Sequence, residues 1–542
     1  MFAKHRQKWI AGLLAFTLTV LQLCGWQFSM KYNSSIHHSA FFQKIGMLST
    51  LQCVVVGMVE WSLLGVLIYW GFGRLDRINS QQVGGVYKEP RHLWMYASVI
   101  LFGVYVLCLI GCYPGFYCYD MGNQLPQFMY EEVSYSAHHP LLHTVVGGAL
   151  ITLGYHIYSV DLTFGVFLYC LAQMGLCAFS FGYAVRFVYR VSRKGALAVF
   201  SLLFYALCPP IVLFAMTTTK DVPCYAVLLP ACLKQYELLG ALVRGEKIPR
   251  AQWIWAGALL VLSCLLRKNI VYALLAFAVF ALVIFRRHLR RLAVFYLSTL
   301  VVFLAIHNGM MICLNAEKSS AAEALSVPFQ QLARLYADKG KDAFPGEDLE
   351  LLYDAIDPEL LGYYDPMIAD PIKTAFWYHL DTILDNKWTY LFFWLRKGLE
   401  NPMTYVLAFA ENTYQAWYPW TELMDTNNYR FYDLTEWILE YSRPVCPPLY
   451  DYFMAVTQGK YRSFPVVRMF CTTGTMFWAL LAALFYGVWR KNRFVTITLL
   501  LQLLVCATSM CGPVSDLRYY LNIFYLFPVC VGFLLCRKAE TV

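Results

Sequence analysis

Apolar runs of membrane-crossing length recur along the chain, near 9–29, 46–73, 93–114, 162–186, 195–217, 222–242, 252–267, 269–286, 292–313, 467–489, 494–511 and 519–536. A helix crossing about 30 Å of hydrocarbon needs roughly 20 residues, so each run is predicted as a transmembrane helix. The stretch LLHTVVGGALITLGYHIY (141–158) is ambiguous: it is short, carries Gly147, Gly148 and Gly154, and has histidines at 143 and 156. Lysine and arginine decide its status. If it does not cross, and Lys4, Arg6 and Lys8 face the cytoplasm, six later clusters fall on the same side. These are Arg74/Arg77/Lys88/Arg91, Arg186/Arg190/Arg193/Lys194, Arg244/Lys247/Arg250, Arg286/Arg287/Arg290/Arg291, Arg490/Lys491/Arg493 and Arg537/Lys538. If it crosses, every cluster from Arg186 onward flips outward, against the positive-inside bias. The stretch is therefore read as an interfacial or re-entrant helix on the outer face. The expected fold is an all-α polytopic membrane protein with about twelve transmembrane helices and both termini cytoplasmic.

That topology places 114–160, 217–221, 267–269, 315–466 and 512–519 outside together. Four regions follow: an N-terminal transmembrane hairpin (1–73), a transmembrane core with its first external loop (93–314, loop 114–160), a mostly helical extracytoplasmic domain (315–466) and C-terminal transmembrane helices (467–542). The external domain shows SVPFQQLARLY (326–336), an acidic 347–360 and an aromatic-rich 414–440, with Cys446 as its single cysteine. No internal repeat or low-complexity segment interrupts the pattern.

Composition agrees. The chain is 59% hydrophobic and 14% charged, against roughly 45–50% and about 25% in soluble domains. The net charge of +9 is spread over short clusters between apolar runs, which fits membrane orientation and not nucleic-acid binding. The 18 cysteines are scattered without a CxxC pair, so neither a zinc site nor a disulfide framework is signalled. Cys112 and Cys118 flank the first polar loop, and their pairing is open. Residues 1–26 combine a basic start with an apolar core but lack a small-residue cleavage site, and are read as a retained first helix. Asn33-Ser34-Ser35 is a formal glycosylation sequon.

Candidate chemistry concentrates at one set of helix ends. YPGFYCYDMGNQLPQFMYEEVSYSAHHP (113–140) follows directly on an apolar run and carries Asp120, Gln124, Gln127, Glu131, Glu132, His138 and His139. Thr217-Thr218-Thr219-Lys220-Asp221, Arg267-Lys268 and Asp516/Arg518 lie at other ends on the same side. Ionisable groups beside spans are costly and mark functional sites by default. Each also has a plainer reading: an interfacial charge snorkelling to headgroups, a capping Asp221 with Lys220 as its partner, or a structural Asp516–Arg518 pair. Arg267 and Lys268 place positive charge where it is normally sparse, which suits a phosphate or pyrophosphate. His138-His139-Pro140 fits hydrogen-bonding or capping roles, with Pro140 opening a helix at 141. Metal ligation by the histidines, or a divalent cation spanning Asp120 and Asp221, stays open.

With these residues in place the chain resembles the GT-C superfamily of integral membrane glycosyltransferases. The likeness rests on an early helix leading to an acid (Asp120), a first external loop with HHPLLH (138–143), a helix ending in RFVYRVSRK (186–194), an acid in TTTKDVP (Asp221), the cationic turn LLRKNI (265–270) and the pair Arg518-Tyr519. It covers roughly 93–314 and more weakly 467–536. EALSVPFQQLARLY and YYDPMIADPIK resemble segments of a little-characterised group of Gram-positive bacterial membrane proteins assigned to that superfamily. The hairpin 9–73 is an addition to the shared core. The first loop departs from the superfamily in having no DxD, which leaves metal use undecided.

The resemblance implies a polyprenyl phosphate or diphosphate sugar as donor and a cell-envelope glycan, lipid or protein as acceptor. In that scheme Asp120 is the general base of an inverting displacement, and Lys220, Arg267, Lys268 and Arg518 stabilise the departing phosphate. Asp221 orients Lys220 or a metal. Gln124, Gln127, Glu131, Glu132, His138, His139, His143 and Tyr519 are assigned to sugar or acceptor hydroxyls. Rival readings are a transporter or flippase, a lipid-linked glycan ligase or polymerase, and a cell-surface scaffold. The outer placement of the charges and the lack of repeated halves weigh against a transporter.

Overall fold

The computed structural model describes residues 2–32, 46–81, 89–159, 161–420, 444–457 and 465–536. The sequon at Asn33, the cations Lys88, Arg537 and Lys538, and 421–440 of the aromatic-rich segment lie outside the described residues. The described chain is helical, with a few isolated bridges and no strand. Eight helices are long and apolar enough to cross a bilayer, which makes this a polytopic helical membrane protein. They are α1 (Phe2–Tyr32), α2 (Thr50–Gln81), α3 (Leu93–Gly111), α6 (Thr163–Ser192), α9 (Asp221–Val243), α12 (Leu289–Cys313), α22 (Arg493–Met510) and α23 (Leu521–Leu534), the last counted together with the 3-10 turn Leu517–Tyr520 that leads into it. The run 195–217 is a bent pair, α7 (Gly195–Leu207) and α8 (Pro209–Ala215), meeting at 56°. Pro209-Pro210 supply no amide donors and force the break there. Apolar helices α5 (Leu141–Ile157), α10 (Arg250–Leu266), α11 (Asn269–Ile284) and α21 (Thr473–Trp489) are shorter. The run 467–489 is itself split, with α20 (Pro465–Cys471) preceding α21.

Helix α6 is the hub, packed against α3, α5, α7, α9 and α23. Its Gly182 lets the α3 backbone approach at Trp94 and Ser98, where a Cβ would collide. Deeper in, Phe181 stacks on Tyr205 at 4.4 Å and meets Tyr525 edge-on at 4.7 Å. Tyr105 and Tyr205 donate to the carbonyls of Tyr205 and Tyr525 at 2.8 and 2.7 Å. These two hydroxyls are satisfied by backbone carbonyls, which makes their burial in the core tolerable.

Helix α5 packs against α6, closely where Gly154 meets Gly165. A Cβ at Gly154 would overlap the Gly165 backbone, and one at Gly165 would overlap Ile151. The small-residue contact brings the two backbones together. It also aims His143, in the first turn of α5, at Tyr169 of α6.

The 315–466 region contains α13 (Ala322–Lys339), α14 (Glu347–Ala355), α15 (Asp370–Trp377), α16 (Leu380–Asp385), α17 (Lys387–Glu400), α18 (Pro402–Trp417) and α19 (Pro447–Thr457). A second apolar core of Phe329, Leu332, Leu352, Phe376 and Phe393 holds α13–α17 together. Helix α18 joins the two cores: Tyr405 belongs to the second, Tyr414 and Trp417 to the main one. Among the described residues, backbone hydrogen bonds dock this region on the bundle at three places, one of them from the Cys446 amide to the Gly111 carbonyl at 2.9 Å. Glu317 donates to the Tyr135 carbonyl (2.7 Å) and accepts from the Ala137 amide (2.8 Å). Ala369 donates to the Pro513 carbonyl (2.7 Å) beside an Ile368–Val514 bridge. All 18 cysteines are free, Cys112 and Cys118 included.

Candidate anion-binding and proton-transfer site

Two short segments set the frame. The chain leaving α3 turns at Gly115, whose φ of +104° suits glycine alone. Phe116 then donates to the Met216 carbonyl (2.8 Å), Thr218 donates to the Phe116 carbonyl (2.9 Å), and the Cys118 amide donates to Thr218 Oγ1 (2.9 Å). Residues 116–118 and 216–218 thus run side by side. Asp120 lies two residues beyond one strip and Lys220 two beyond the other, at the starts of α4 (Tyr119–Met129) and α9. The strip at 214–217 is held from behind by Gln173 of α6, whose Nε2 donates to the carbonyls of Phe214, Ala215 and Thr217 at 3.2, 3.1 and 2.8 Å. These carbonyls need an outside donor because α8 stops there.

Asp120 Oδ2 accepts from Lys220 Nζ at 2.8 Å and from Arg518 Nη1 at 2.7 Å. Arg518 Nε donates to Asp516 Oδ2 at 3.0 Å and lies 3.9 Å from Asp221 Oδ2. Asp221 also pairs with Arg267 and accepts from Thr219 Oγ1 at 3.1 Å. Arg267 Nε donates to Asn269 Oδ1 (2.9 Å), and Asn269 in turn donates to Thr508 and Ser509. The Arg267 and Arg518 guanidinium groups lie 4.6 and 4.9 Å from the Tyr519 ring centre, within cation–π range. Lys220 Nζ also donates to His139 Nδ1 at 3.0 Å. Lys268 Nζ reaches the Ala137 carbonyl. Asp120, Asp221 and Arg518 are each no more than 3% exposed. Segments near 120, 139, 220, 267 and 518 therefore close on one buried ionic cluster, at the ends of α3, α9, α10 and α22 opposite the Arg244 and Arg490 turns.

Charge sets the protonation states. Burial lifts the Asp120 carboxyl, but Arg518 and then Lys220 outweigh it and hold it well below the usual carboxylate range. Lys220 is lowered by burial against the pull of Asp120. Burial brings Arg267 down to about 10. Burial, then the Lys220 charge, drives His139 down to about 2. His139 is thus a neutral imidazole accepting at Nδ1, because an ammonium can only donate.

A second tier lies alongside. His143 joins Gln124 Oε1 through Nδ1 and the Tyr169 hydroxyl through Nε2, both at 2.7 Å. Gln124 Nε2 is buried without a partner in the described structure. Gln127 is occupied locally, bonding the Asn123 carbonyl and the Ser136 amide at 2.7 and 3.0 Å; it holds the loop and does not face the cluster. Glu131 and Glu132 are exposed and join none of these contacts, because α4 ends at Met129 and the chain turns away. His138 is also exposed, its ring packed edge-on against His139 at 4.7 Å. Sequence reasoning missed Tyr169, Gln173 and Asn269, and also Tyr225, whose ring centre lies 5.5 Å from the Arg267 guanidinium and whose hydroxyl donates to the Tyr519 carbonyl at 2.7 Å. Gln173 carried a readable signal, a lone amide inside an apolar run. The tyrosines carried none.

Among the described residues no group of three or more His, Cys, Asp or Glu is placed to hold a metal ion. The carboxylates of Asp120, Asp221 and Asp516 each face an arginine or lysine, a donor set that fits an anion better than a divalent cation.

A family model described as "Family of unknown function (DUF6020)" matches residues 130–541. Lys220, Asp221, Arg267, Lys268 and Arg518 fall inside the matched stretch, whereas Asp120, Gln124 and Gln127 precede it. No match emerges among curated proteins or solved structures.

Proposed function

The chain belongs to DUF6020, a family of unknown function, and we propose that it is a membrane glycosyltransferase of the GT-C type. It moves a sugar from a polyprenyl-phosphate-type donor to a cell-envelope acceptor. In this reading twelve segments cross the membrane, α7–α8 as one bent span and α10, α11 and α20–α21 completed by their flanking turns. The termini are cytoplasmic and the ionic cluster faces outward.

One observation carries the proposal: Asp120 is gripped by Lys220 and Arg518, which come from segments 100 and 398 residues away. A buried carboxylate beside surplus cations has the two parts that the transfer needs. The acceptor hydroxyl attacks the anomeric carbon, a new C–O bond forms, and the bond from that carbon to the phosphate oxygen breaks. The proton passes to Asp120, and the electron pair leaves with the phosphate toward Lys220, Arg518 and Arg267. The phosphate departs already ionised, so cations suffice and no acid is needed. An arriving phosphate also shares Lys220 and Arg518 with Asp120. That loosens their hold and restores basicity to a carboxylate which, held by Lys220 and Arg518 alone, is too well paired to act as a base.

The test is a deletion strain complemented with wild type or Asp120→Asn at equal membrane abundance, with envelope glycans compared by mass spectrometry. A sugar restored by the wild type, and about 10²–10⁴-fold less by the variant, is expected for loss of a general base. Full restoration by Asp120→Asn overturns the assignment.

A further inference from the structure

Helices α10 and α12 leave between them a groove of about 1180 Å³, larger than the roughly 300–1,000 Å³ of ordinary small-molecule pockets. Its walls are apolar: Trp253, Val261 and Leu265 from α10, Phe295 and Val302 from α12. One mouth is lined by Lys247, Arg290 and Arg291. The groove continues to Ile306, a reach of about 24 Å along α12 at ~1.5 Å per residue.

The charges at that mouth are one-sided. Glu246 is the acid lining it, and Glu246 is already paired with Arg244. Lys247, Arg290 and Arg291 have no carboxylate partner among the described residues, nor do neighbouring Arg250, Arg286 and Arg287. Open cations at the end of a long apolar channel between membrane helices call for an amphiphile with an anionic head. The phosphate of such a molecule would sit a groove's length from Lys268 and the Asp120 cluster, too far to be the group that departs in sugar transfer.

We propose that this groove holds an anionic phospholipid, its phosphate among Lys247, Arg290 and Arg291 and an acyl chain along α10 and α12. The site is separate from the ionic cluster and does not depend on the glycosyltransferase reading. Gly257 offers a way to block it without touching charge. A Cβ there meets Thr299 Oγ1 at 3.5 Å, an ordinary contact, so a larger side chain extends into the groove.

Native mass spectrometry of the full chain, purified in detergent and titrated with phosphatidylglycerol or phosphatidylcholine, tests this. One phosphatidylglycerol per chain is expected, with phosphatidylcholine at least about tenfold weaker. The double variant Arg290→Gln/Arg291→Gln should weaken phosphatidylglycerol about tenfold or more. Gly257→Leu should weaken both lipids and keep the wild-type unfolding temperature in lipid-free detergent, and Lys247→Gln serves if the double variant misfolds. Equal retention of the two lipids, or charge variants without effect, overturns the proposal. So does a polyprenyl phosphate that displaces phosphatidylglycerol equally from wild type and double variant, because the groove would then belong to a sugar-carrier lipid.

Discussion

Asp120 and Arg518 form a buried pair in which each partner is costly without the other. Removing one side of such a pair costs up to about 3–5 kcal/mol: loss of Arg518 leaves Asp120 with Lys220 alone and Asp516 without its arginine. Arg518→Met should therefore lower the unfolding temperature sharply in detergent, and Arg518→Lys, which keeps charge but loses the guanidinium fork, should lower it less. His139 gives a pH signature. Its folded value lies far below the ordinary histidine range, so below pH ~6.5 the unfolded chain binds a proton that the folded chain refuses. Stability should be full above that pH and fall on acidification from 7 to 5. The fall should shrink in His139→Gln; an identical slope would contradict the buried neutral imidazole. Sequence made these residues visible as charges at helix ends but not their partners. Lys220 and Asp221 suggested a local pair, yet at the first turn of α9 they point apart, one to Asp120 and the other to Arg267. Adjacent helical residues do not face each other, and which distant charge each meets depends on tertiary packing. Asp516 and Arg518 do keep their local pair, while Arg518 also reaches Asp120.

Among the elements, apolar run length and proline placement revealed most of what formed. Every predicted run carries a helix over most of its described residues, though ends such as 46–49 and 112–114 fall outside it, and Pro209-Pro210 marks the break that the run 195–217 concealed when counted as one span. Hydropathy could not show how α5 sits, because a short apolar helix reads alike whether it crosses or lies along an interface. Its glycines decide the contact. Gly154→Ala should separate α5 from α6 at a cost of about 1–3 kcal/mol, read as a lower unfolding temperature. Gly103→Ala on α3, with nothing within 4 Å of the added carbon, should be neutral. If the two behave alike, the close α5–α6 approach is wrong.

The region after α12 was legible as mostly helical, but its attachment to the bundle was not. Arg334 and Glu411 are buried together inside it, and Glu411 also accepts from Lys31 of α1 at 3.1 Å. That partner is 380 residues away in sequence and looked like an ordinary end-of-helix lysine. Glu411→Ala leaves Arg334 with only the half-exposed Asp338 as an ion-pair partner. It should cost about 3–5 kcal/mol, with hydrogen exchange rising first in 366–369 and 512–516, where the region docks on the bundle. Exchange confined to α13 would mean that the docking seam is independent of this pair.

The ionic cluster also has a valence. Lys220, Arg267 and Arg518 stand among Asp120, Asp221 and Asp516, and Lys268 beside them meets only the Ala137 carbonyl, so the cluster carries one more positive charge than negative in surroundings that screen poorly. A sugar phosphodiester, with one negative charge, would bring that cluster to neutrality; a diphosphate ester would overshoot it. Carrier lipids with one phosphate should therefore outcompete their diphosphate counterparts for the purified protein, and Lys268→Gln should erode that preference by removing the surplus cation.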